Sequence, residues 1–357
     1  MAHRPPTVTL NNIAYTQDEL AGTKIKPQSE FEKDILDFCK DWLRGKSQFS
    51  LTTSGSTGAP KKITLTREQM TASAQMTAQA LALKRGHNAL ICLDTRHIAG
   101  MMMLVRSFVT EMNMVVVEPS ANPLAKVPPG AQIDFAAWVP YQLRTILETQ
   151  KESLDTIRCA IVGGAPVDER LKESLKEVRC SLYATYGMTE TISHIALQKL
   201  NGPDAQHCFQ ALPPIRLRTD DRGCLVIKAD YLQEEITTND LVELTGKQFR
   251  WLGRWDNVIN SGGIKIIPEV LEQQLEKIFD HLHLNVRFFV TAIPDKNFGE
   301  KTALVIEGKE EGFPTEKFRQ QVQSALNAYH IPREIKFIER FAQTGSGKID
   351  RLGTINR

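Results

Sequence analysis

A loop rich in glycine, hydroxyl side chains and lysine near the start of the chain could bind phosphate. It reads Thr53-Ser-Gly-Ser-Thr-Gly-Ala-Pro-Lys61 and stands between a short apolar stretch and a helical pattern. Glycines let backbone N–H groups turn toward an anion, hydroxyls donate further hydrogen bonds, and lysine adds a point charge. It is not a P-loop, because Pro60 stands five residues after Gly55, where that pattern requires glycine followed by lysine. A flexible surface turn is the alternative interpretation.

The composition is that of an ordinary globular chain. Its 357 residues are 41% hydrophobic and 24% charged, with a net charge of +2, and about two or three domains are expected. The balanced charge gives no field that would recruit nucleic acid, so no such partner is expected. No apolar stretch approaches the roughly 20 residues of a membrane span. The N-terminus lacks a signal-peptide core and the six cysteines lack metal-ligand spacing, so we expect a cytoplasmic protein with reduced thiols.

Hydrophobic spacing and capping residues predict alternating helices and strands. Ser29 with Glu32 predicts the start of one helix, which Gly45 should close, and Thr66 with Gln69 starts a second that ends near residue 86. Short apolar runs typical of buried strands follow at 89–93, 114–117 and 160–162. We therefore expect an α/β fold with a mostly parallel, helix-covered sheet and with sites in the loops at the carboxyl ends of its strands.

The residues after Trp255 have a different pattern. Pro268 begins a predicted helix, strands are predicted near 286–290 and 303–306, and a further helix spans about 316–329. This order predicts a small α+β unit. We accordingly expect a large N-terminal domain of residues 1–254 and a small C-terminal domain of residues 255–357.

Five motifs follow the loop in a fixed order. They are Val162-Gly-Gly-Ala-Pro166, Ala184-Thr-Tyr-Gly-Met-Thr-Glu-Thr191, Thr237-Thr-Asn-Asp-Leu241, Gly253-Arg-Trp-Asp-Asn-Val-Ile-Asn-Ser-Gly-Gly-Ile-Lys265 and Thr344-Gly-Ser-Gly-Lys-Ile-Asp-Arg351. With the loop, they resemble the adenylate-forming superfamily of acyl-CoA synthetases, luciferases and peptide-synthetase adenylation domains. The resemblance implies that superfamily's fold, in which the small C-terminal domain is mobile.

The chain also departs from the superfamily's pattern. Asn239 replaces the usual glycine before Asp240, and the aromatic residue of that motif is missing. Only 52 residues precede Thr53, whereas common members carry an additional N-terminal subdomain there. The chain therefore resembles a compact form of the superfamily.

The resemblance implies residues that bind ATP. In the central motif, Tyr186 would stack on adenine, Thr189 would meet the α-phosphate, and Glu190 would help to hold Mg²⁺, a hard cation that prefers carboxylate and phosphate oxygens. Asp240 would bind the ribose hydroxyls, and Arg254 the ribose and phosphate. The remaining nucleotide-binding residues implied are Thr53, Ser54, Gly55, Ser56, Thr57, Gly58, Lys61, Gly163, Gly164, Ala165 and Gly187.

The resemblance also implies a catalytic lysine and a hinge. Lys348 would bridge the attacking carboxylate and the nucleotide, since a positioned ammonium cancels the repulsion between two anions. Asp256 would be the pivot about which the small domain turns after adenylation. The turn would then present Gly262, Gly263 and Lys265 to coenzyme A.

Four residues are candidates for binding the acid. His97, Gly187 and Met188 correspond to segments that shape the superfamily's acyl pocket, and His97 is also placed in the catalytic group. Arg106 follows His97 by nine positions on a predicted helix 98–110 with apolar neighbours. Because a buried charge needs a partner, we assign Arg106 to a second carboxylate of the substrate. The alternatives are a core histidine at position 97 and an arginine that reaches solvent.

The implied reaction joins a small carboxylic acid to coenzyme A at the expense of ATP, through an acyl-adenylate. Within the superfamily the chain most resembles the o-succinylbenzoate–CoA ligases of menaquinone biosynthesis. Two alternatives are a stand-alone adenylation enzyme that loads another acid onto CoA or a carrier protein, and a non-catalytic nucleotide-binding relative. A homo-oligomer is compatible with the sequence.

Overall fold

The computed structural model describes residues 6–22, 25–53, 61–343 and 349–355. The helices are α1 (Gln17–Gly22), α2 (Glu30–Leu43), α3 (Arg67–Ala80), α4 (Ile98–Thr110), α5 (Pro140–Leu154), α6 (Glu169–Ser174), α7 (Pro268–His281), α8 (Thr315–Ala325) and α9 (Arg351–Ile355). Short 3₁₀ turns lie at Pro123–Lys126, Thr189–Thr191 and Trp255–Asn257.

The strands alternate with these helices in the first half of the chain and follow one another more closely afterwards. They are β1 (Thr7–Leu10), β2 (Ile13–Thr16), β3 (Gln48–Thr53), β4 (Lys61–Thr66), β5 (Asn88–Ile91), β6 (Asn113–Val116), β7 (Phe135–Trp138), β8 (Cys159–Val162), β9 (Ser181–Gly187), β10 (His194–Lys199), β11 (Phe209–Ala211), β12 (Arg216–Thr219), β13 (Cys224–Lys228), β14 (Ile236–Thr245), β15 (Gln248–Arg254), β16 (Ile259–Ser261), β17 (Ile264–Ile266), β18 (Phe288–Asp295), β19 (Gly299–Glu307) and β20 (Glu334–Ile338).

The chain divides into two compact units. The first contains residues 1–217, 227–236 and 246–249, and the second contains residues 218–226, 237–245 and 250–357. The dividing line passes through β12, β13, β14 and β15. The functional boundary after residue 254 falls inside the second unit and stays a prediction.

The first unit is built on a sheet with a parallel centre. Its strand order is β11-β10-β9-β8-β7-β5-β6-β1-β2. The neighbouring pairs from β9 to β1 are parallel, whereas β10 and β11 at one edge and β2 at the other are antiparallel to their neighbours. Every residue of β7 and β8 is buried, which explains the continuous apolar runs, because a parallel sheet is covered on both faces.

Helix ends in the first unit follow from local hydrogen bonds. The Thr66 hydroxyl accepts from the Gln69 N–H while the Gln69 side chain accepts from the Thr66 N–H, so both predicted halves of this capping box form. Helix α3 ends at Ala80, six residues earlier than predicted. Leu83 N–H donates to the Ala78 carbonyl, and Ala82 takes a left-handed φ of 48°, which is a Schellman ending with alanine in place of glycine.

The second unit contains a small sheet covered by two helices. The order is β17-β16-β19-β18, with β20 parallel to the other edge of β19. Helices α7 and α8 cover an apolar core that includes Leu275, Phe279 and Phe318. The predicted α+β pattern is therefore present, with α8 ending at Ala325.

Two further observations concern the chain as described. All six cysteines are free. None of the described helices combines the length and apolar character needed to cross a membrane.

Candidate active site

A cavity of about 170 Å³ opens in the first unit where the parallel strands end. Residues at or just after the carboxyl ends of β5, β7, β8 and β9 form most of its wall, and α4 and the start of β10 complete it. The lining residues are Leu93, Ile98, Ala99, Arg106, Ala137, Trp138, Val139, Ile161, Gly163, Gly164, Thr185, Gly187, Met188, Ser193 and His194. Ligands of α/β sheets bind at this edge, and five of the predicted site residues lie here.

Two of these glycines leave space that a side chain would occupy. A Cβ on Gly163 would lie 2.3 Å from the Thr185 hydroxyl oxygen, and one on Gly187 would lie 2.3 Å from the Ser193 carbonyl oxygen. Both distances are far below van der Waals contact. Glycine at position 163 therefore allows the close approach of its backbone to β9, and glycine at position 187 allows that of β9 to the residue before β10. Met188 follows Gly187 and begins the 3₁₀ turn at Thr189–Thr191.

Arg106 is the charged residue of the cavity wall. Its side chain is on α4, and the residue is only 1% exposed. Burial lowers the pKa of its guanidinium to about 9. Its hydrogen-bond partners are Thr77, Ser193 and His194, all of them neutral groups. No carboxylate among the described residues pairs with it, so the positive charge in this wall is not neutralised by the described part of the chain.

His194 and its neighbours are functional candidates that the sequence did not reveal. Its Nε2 lies 3.0 Å from the Thr77 hydroxyl oxygen, and its Nδ1 lies 3.4 Å from Arg106 Nη2. Burial and the Arg106 charge hold the pKa of His194 well below its usual range. The signal that could have found it is its position three residues after Thr191, where the central motif ends.

His97 lies elsewhere. It is the N-cap residue of α4, is exposed, and lines a separate surface depression together with acidic residues of α2. The predicted place of His97 in the acyl pocket is therefore not the cavity that holds Arg106, and His194 is the histidine of that cavity. Ala165 is likewise exposed, two residues beyond the lining residue Gly163.

The central motif continues from strand β9 into the 3₁₀ turn. The Tyr186 ring packs against Phe249 and Phe209, with ring centroids 4.9 Å and 5.8 Å away. Thr189 is half-buried and Glu190 is exposed on the turn. An exposed carboxylate beside a ligand cavity can supply one hard oxygen to Mg²⁺ when phosphate and water supply the others.

In the second unit, the structure brings Asp240, Arg254 and Asp256 together. Arg254 forms an ion pair with Asp256 and lies 3.9 Å from Asp240 Oδ1. Trp251 Nε1 donates to the same Asp240 oxygen at 3.2 Å. Two motifs that are separated in the sequence thus share one cation, although the Arg254 side chain remains 39% exposed.

The glycine pair of the same motif forms a tight turn between β16 and β17. Gly262 and Gly263 have φ values of 60° and 86°, which favour glycine. Lys265 is exposed, and its ammonium lies 4.8 Å from the centre of the Trp255 ring, a cation–π contact within the second unit.

The segments on either side of residues 344–348 are fixed to the second unit. Gln343 pairs with Ile349. Arg351 donates to Glu272 at 2.9 Å and to the Val290 carbonyl. Burial raises the pKa of Glu272 to about 7.

Six predicted residues lie outside the described part of the chain, namely Ser54, Gly55, Ser56, Thr57, Gly58 and Lys348. Thr53 and Lys61 are described in backbone only, as the last pair of the β3–β4 ladder. The two ends of the predicted phosphate loop are therefore adjacent.

Comparison with known proteins decides the family. A profile described as AMP-binding enzyme matches residues 14–224, more than half of the chain. The chain belongs to the AMP-binding enzyme family. An acyl-CoA synthetase (AMP-forming)/AMP-acid ligase II-like protein from Dyadobacter fermentans is 42% identical, with 94% of this chain and 97% of that one covered and a TM-score of 0.64. The predicted superfamily is thus confirmed.

More distant members of the family carry more specific names. A 2-succinylbenzoate–CoA ligase from Listeria innocua is 26% identical over 88% of this chain and 71% of its own length. The o-succinylbenzoate CoA synthetase from Bacillus subtilis, solved with an acyl-adenylate intermediate, is 22% identical with a TM-score of 0.73, covering 85% of this chain and 68% of that one. The second likeness shows the fold, which confirms the predicted α/β adenylating-enzyme architecture.

Proposed function

We propose that this AMP-binding enzyme is an ATP-dependent acid–CoA ligase whose substrate is an aromatic dicarboxylate, with o-succinylbenzoate as the best candidate. The observation that carries the proposal is Arg106, a buried cation in the cavity wall whose partners among the described residues are all neutral. A buried charge without a counterion is expensive, and a substrate carboxylate would supply the missing partner. The names of the Listeria and Bacillus relatives support the same substrate.

The cavity has room for one aromatic ring. Its volume is about 170 Å³, and a cavity of about 150 Å³ is enough for benzene. A simple alkyl chain carries no second carboxylate and would not supply a partner for Arg106. A ring that carries a carboxylate satisfies both the volume and the charge.

The chemistry would proceed in two steps. In the first, an oxygen of the free carboxylate attacks the α-phosphorus of ATP, the bond to the bridging oxygen breaks, and pyrophosphate leaves. Lys348 would offset the repulsion between the two anions, Thr189 would contact the α-phosphate, and Glu190 would hold Mg²⁺ together with phosphate oxygens. In the second, the thiol sulfur of coenzyme A attacks the acyl carbon, the bond to AMP breaks, and the thiol proton passes to solvent.

Two sets of residues are proposed to bind the nucleotide. Tyr186, Gly163 and Gly164 are proposed for adenine, and Asp240 with Arg254 for ribose and phosphate. Asp256 is proposed as the hinge, with the turn at Gly262 and Gly263 and the nearby Lys265 serving the thiol step. The motifs give these assignments. The position of Gly163 and Gly164 in the cavity wall and the proximity of Asp240 to Arg254 support them.

The test is AMP formation in the presence of CoA with a panel of acids. We expect o-succinylbenzoate to exceed 4-oxo-4-phenylbutanoate, which lacks the ring carboxylate, by about 30- to 5,000-fold in kcat/KM. That range corresponds to the roughly 2–5 kcal/mol lost when one partner of a buried charge pair is removed. Equal use of the two acids, or a preference for a long-chain fatty acid, would contradict the proposed substrate.

A second measurement separates CoA from a carrier-protein thiol as acceptor. We expect the acyl-CoA thioester to accumulate in step with AMP. If pyrophosphate exchange shows that the adenylate forms but no CoA thioester accumulates, the result would instead favour an enzyme that loads a carrier protein. Absence of acid-dependent pyrophosphate exchange would indicate a non-catalytic nucleotide-binding protein.

A further inference from the structure

Four side chains from three elements form one buried polar group around Arg106. Thr77 comes from α3, Arg106 from α4, His194 from the first position of β10, and Ser193 from the residue before it. Arg106 Nε donates to the Thr77 hydroxyl at 3.2 Å, and Arg106 Nη2 donates to the Ser193 hydroxyl. Thr77, Arg106 and His194 are each no more than 5% exposed.

The hydrogen bonds of this group are consistent with one tautomer of His194. Nδ1 faces an N–H of Arg106 at 3.4 Å, so it must accept, and the ring proton is on Nε2. Nε2 then donates to the Thr77 oxygen at 3.0 Å, and the Thr77 hydroxyl donates to the Ser73 carbonyl at 3.2 Å. Because Nδ1 accepts a hydrogen bond, it carries no proton, and His194 is neutral.

A charged His194 would disrupt this arrangement, because Nδ1–H would then point at an N–H of Arg106. Arg106 on α4 is the titratable group that faces His194, whereas Thr77 on α3 and Gly187, its register partner on β9, do not titrate. The low pKa of His194 agrees with this geometry. The group as a whole therefore carries a single positive charge.

The guanidinium has one nitrogen left for a ligand. Nε and Nη2 are engaged by Thr77, Ser193 and His194, and among the described residues Nη1 has no hydrogen-bond partner. Nη1 is not among the fully enclosed unpaired atoms, and Arg106 lines the cavity. Ser193, whose hydroxyl accepts from Nη2, lines the same cavity.

We infer that His194 is a positioning residue for substrate selectivity, which fixes the guanidinium of Arg106, directly at Nη2 and through Thr77 at Nε, so that Nη1 meets the second carboxylate of a dianionic acid. This inference rests on the proposed function. It adds that selectivity for the dianion depends on a neutral imidazole that does not itself contact the carboxylate.

The test compares variants of the full-length enzyme with the two acids named above. His194→Leu removes both hydrogen bonds, Thr77→Val removes the hydroxyl at the other end of the link, and His194→Asn keeps an acceptor near Nη2. Ser107→Ala is the matched control, since Ser107 is a buried hydroxyl next to Arg106 that donates to the Met103 carbonyl instead. The measured quantity is the ratio of kcat/KM for o-succinylbenzoate to that for 4-oxo-4-phenylbutanoate.

We expect His194→Leu to lower this ratio by about tenfold, mainly through a higher KM for the dicarboxylate, because a misplaced guanidinium loses ground-state binding. Thr77→Val should also lower the ratio. His194→Asn should keep most of the wild-type ratio, and Ser107→Ala should leave it unchanged. If His194→Leu does not fold, His194→Asn and Thr77→Val carry the test.

Two results would overturn the inference. If kcat/KM falls equally for both acids in every variant, the role of His194 is purely structural. If neither kcat/KM nor the ratio changes, the link through His194 is not used. A wild-type enzyme that does not distinguish the two acids would instead contradict the proposed function, before any variant is measured.

Discussion

Arg106 in the first unit and Arg254 in the second are both candidates for binding an anion, but they differ in their surroundings. Arg106 is 1% exposed and its partners are two hydroxyls and a neutral imidazole. Arg254 has a side chain that is 39% exposed, and it is close to the carboxylates of Asp240 and Asp256. Within the part of the chain that the structure describes, Arg106 is buried without a counterion, whereas Arg254 is accessible and has two.

This difference indicates different uses of the same side chain. No described carboxylate compensates the charge of Arg106, so we expect this residue to discriminate strongly between acids of different charge. The charge of Arg254 is already balanced and screened by water, so it should contribute affinity with less discrimination. Four experiments can break or sharpen this comparison.

The largest effect is expected at Arg106. Arg106→Leu should lower kcat/KM for the dicarboxylate by about 30- to 5,000-fold, because a buried charge pair loses one partner. The kcat/KM for 4-oxo-4-phenylbutanoate should fall much less. Steady-state kinetics with both acids measures this, and Arg106→Lys should lie between the wild type and Arg106→Leu. Unchanged dicarboxylate kinetics in Arg106→Leu would refute the assignment of this residue.

Arg254→Ala should act on the nucleotide instead. We expect the KM for ATP to rise by about 10- to 100-fold, the range for a hydrogen bond to a charged group, while the ratio between the two acids is unchanged. The control is Arg250→Ala, since Arg250 is on the same strand, similarly exposed, and paired with Glu243. A change in acid selectivity in Arg254→Ala would remove the contrast between the two arginines.

Neither arginine should be needed for stability. Replacing buried charged groups by apolar side chains of similar size is often neutral or stabilising, so Arg106→Met should unfold with a free energy equal to the wild type or about 1 kcal/mol higher. Arg254→Ala should change it by less than about 1 kcal/mol, because exposed ion pairs contribute little. Urea denaturation at neutral pH gives both values. A loss of several kcal/mol in Arg106→Met would mean that this arginine is retained for stability.

The smallest effect concerns pH. The pKa of His194 is lower in the folded protein than in the unfolded chain, so below about pH 6.5 the unfolded chain binds a proton that the folded one does not. Stability is thus lost as pH falls from there toward the folded pKa, by at most about 1.4 kcal/mol per pH unit from this residue. Subtracting the profile of His194→Asn isolates its contribution, and identical profiles would contradict a neutral buried imidazole.

Local signals allowed much of the fold to be predicted. Thr66 and Gln69 form their capping box because its partners are three residues apart. The apolar runs became β5, β6 and β8, and two of the motifs contain Gly163 and Gly187 of the cavity wall. In each case the decisive interaction is close in sequence or is carried by a long motif.

The remaining site residues depend on contacts between distant parts of the chain. His194 meets Thr77, 117 positions away, and Arg106, 88 positions away, so no periodicity relates them. The resemblance of its segment to the superfamily predicts His97 in the acyl pocket, yet this residue is exposed. The end of α3 was misplaced for a related reason, since alanine at position 82 takes the left-handed conformation that glycine usually signals.

The C-terminal segment is attached to the second unit on both sides of residues 344–348. Ile349 pairs with Gln343, and Arg351 donates to Glu272 and to the Val290 carbonyl. Burial raises the pKa of Glu272, and the Arg351 charge opposes that rise. Arg351→Met would therefore leave a buried carboxyl that takes up its proton at a higher pH than in the wild type.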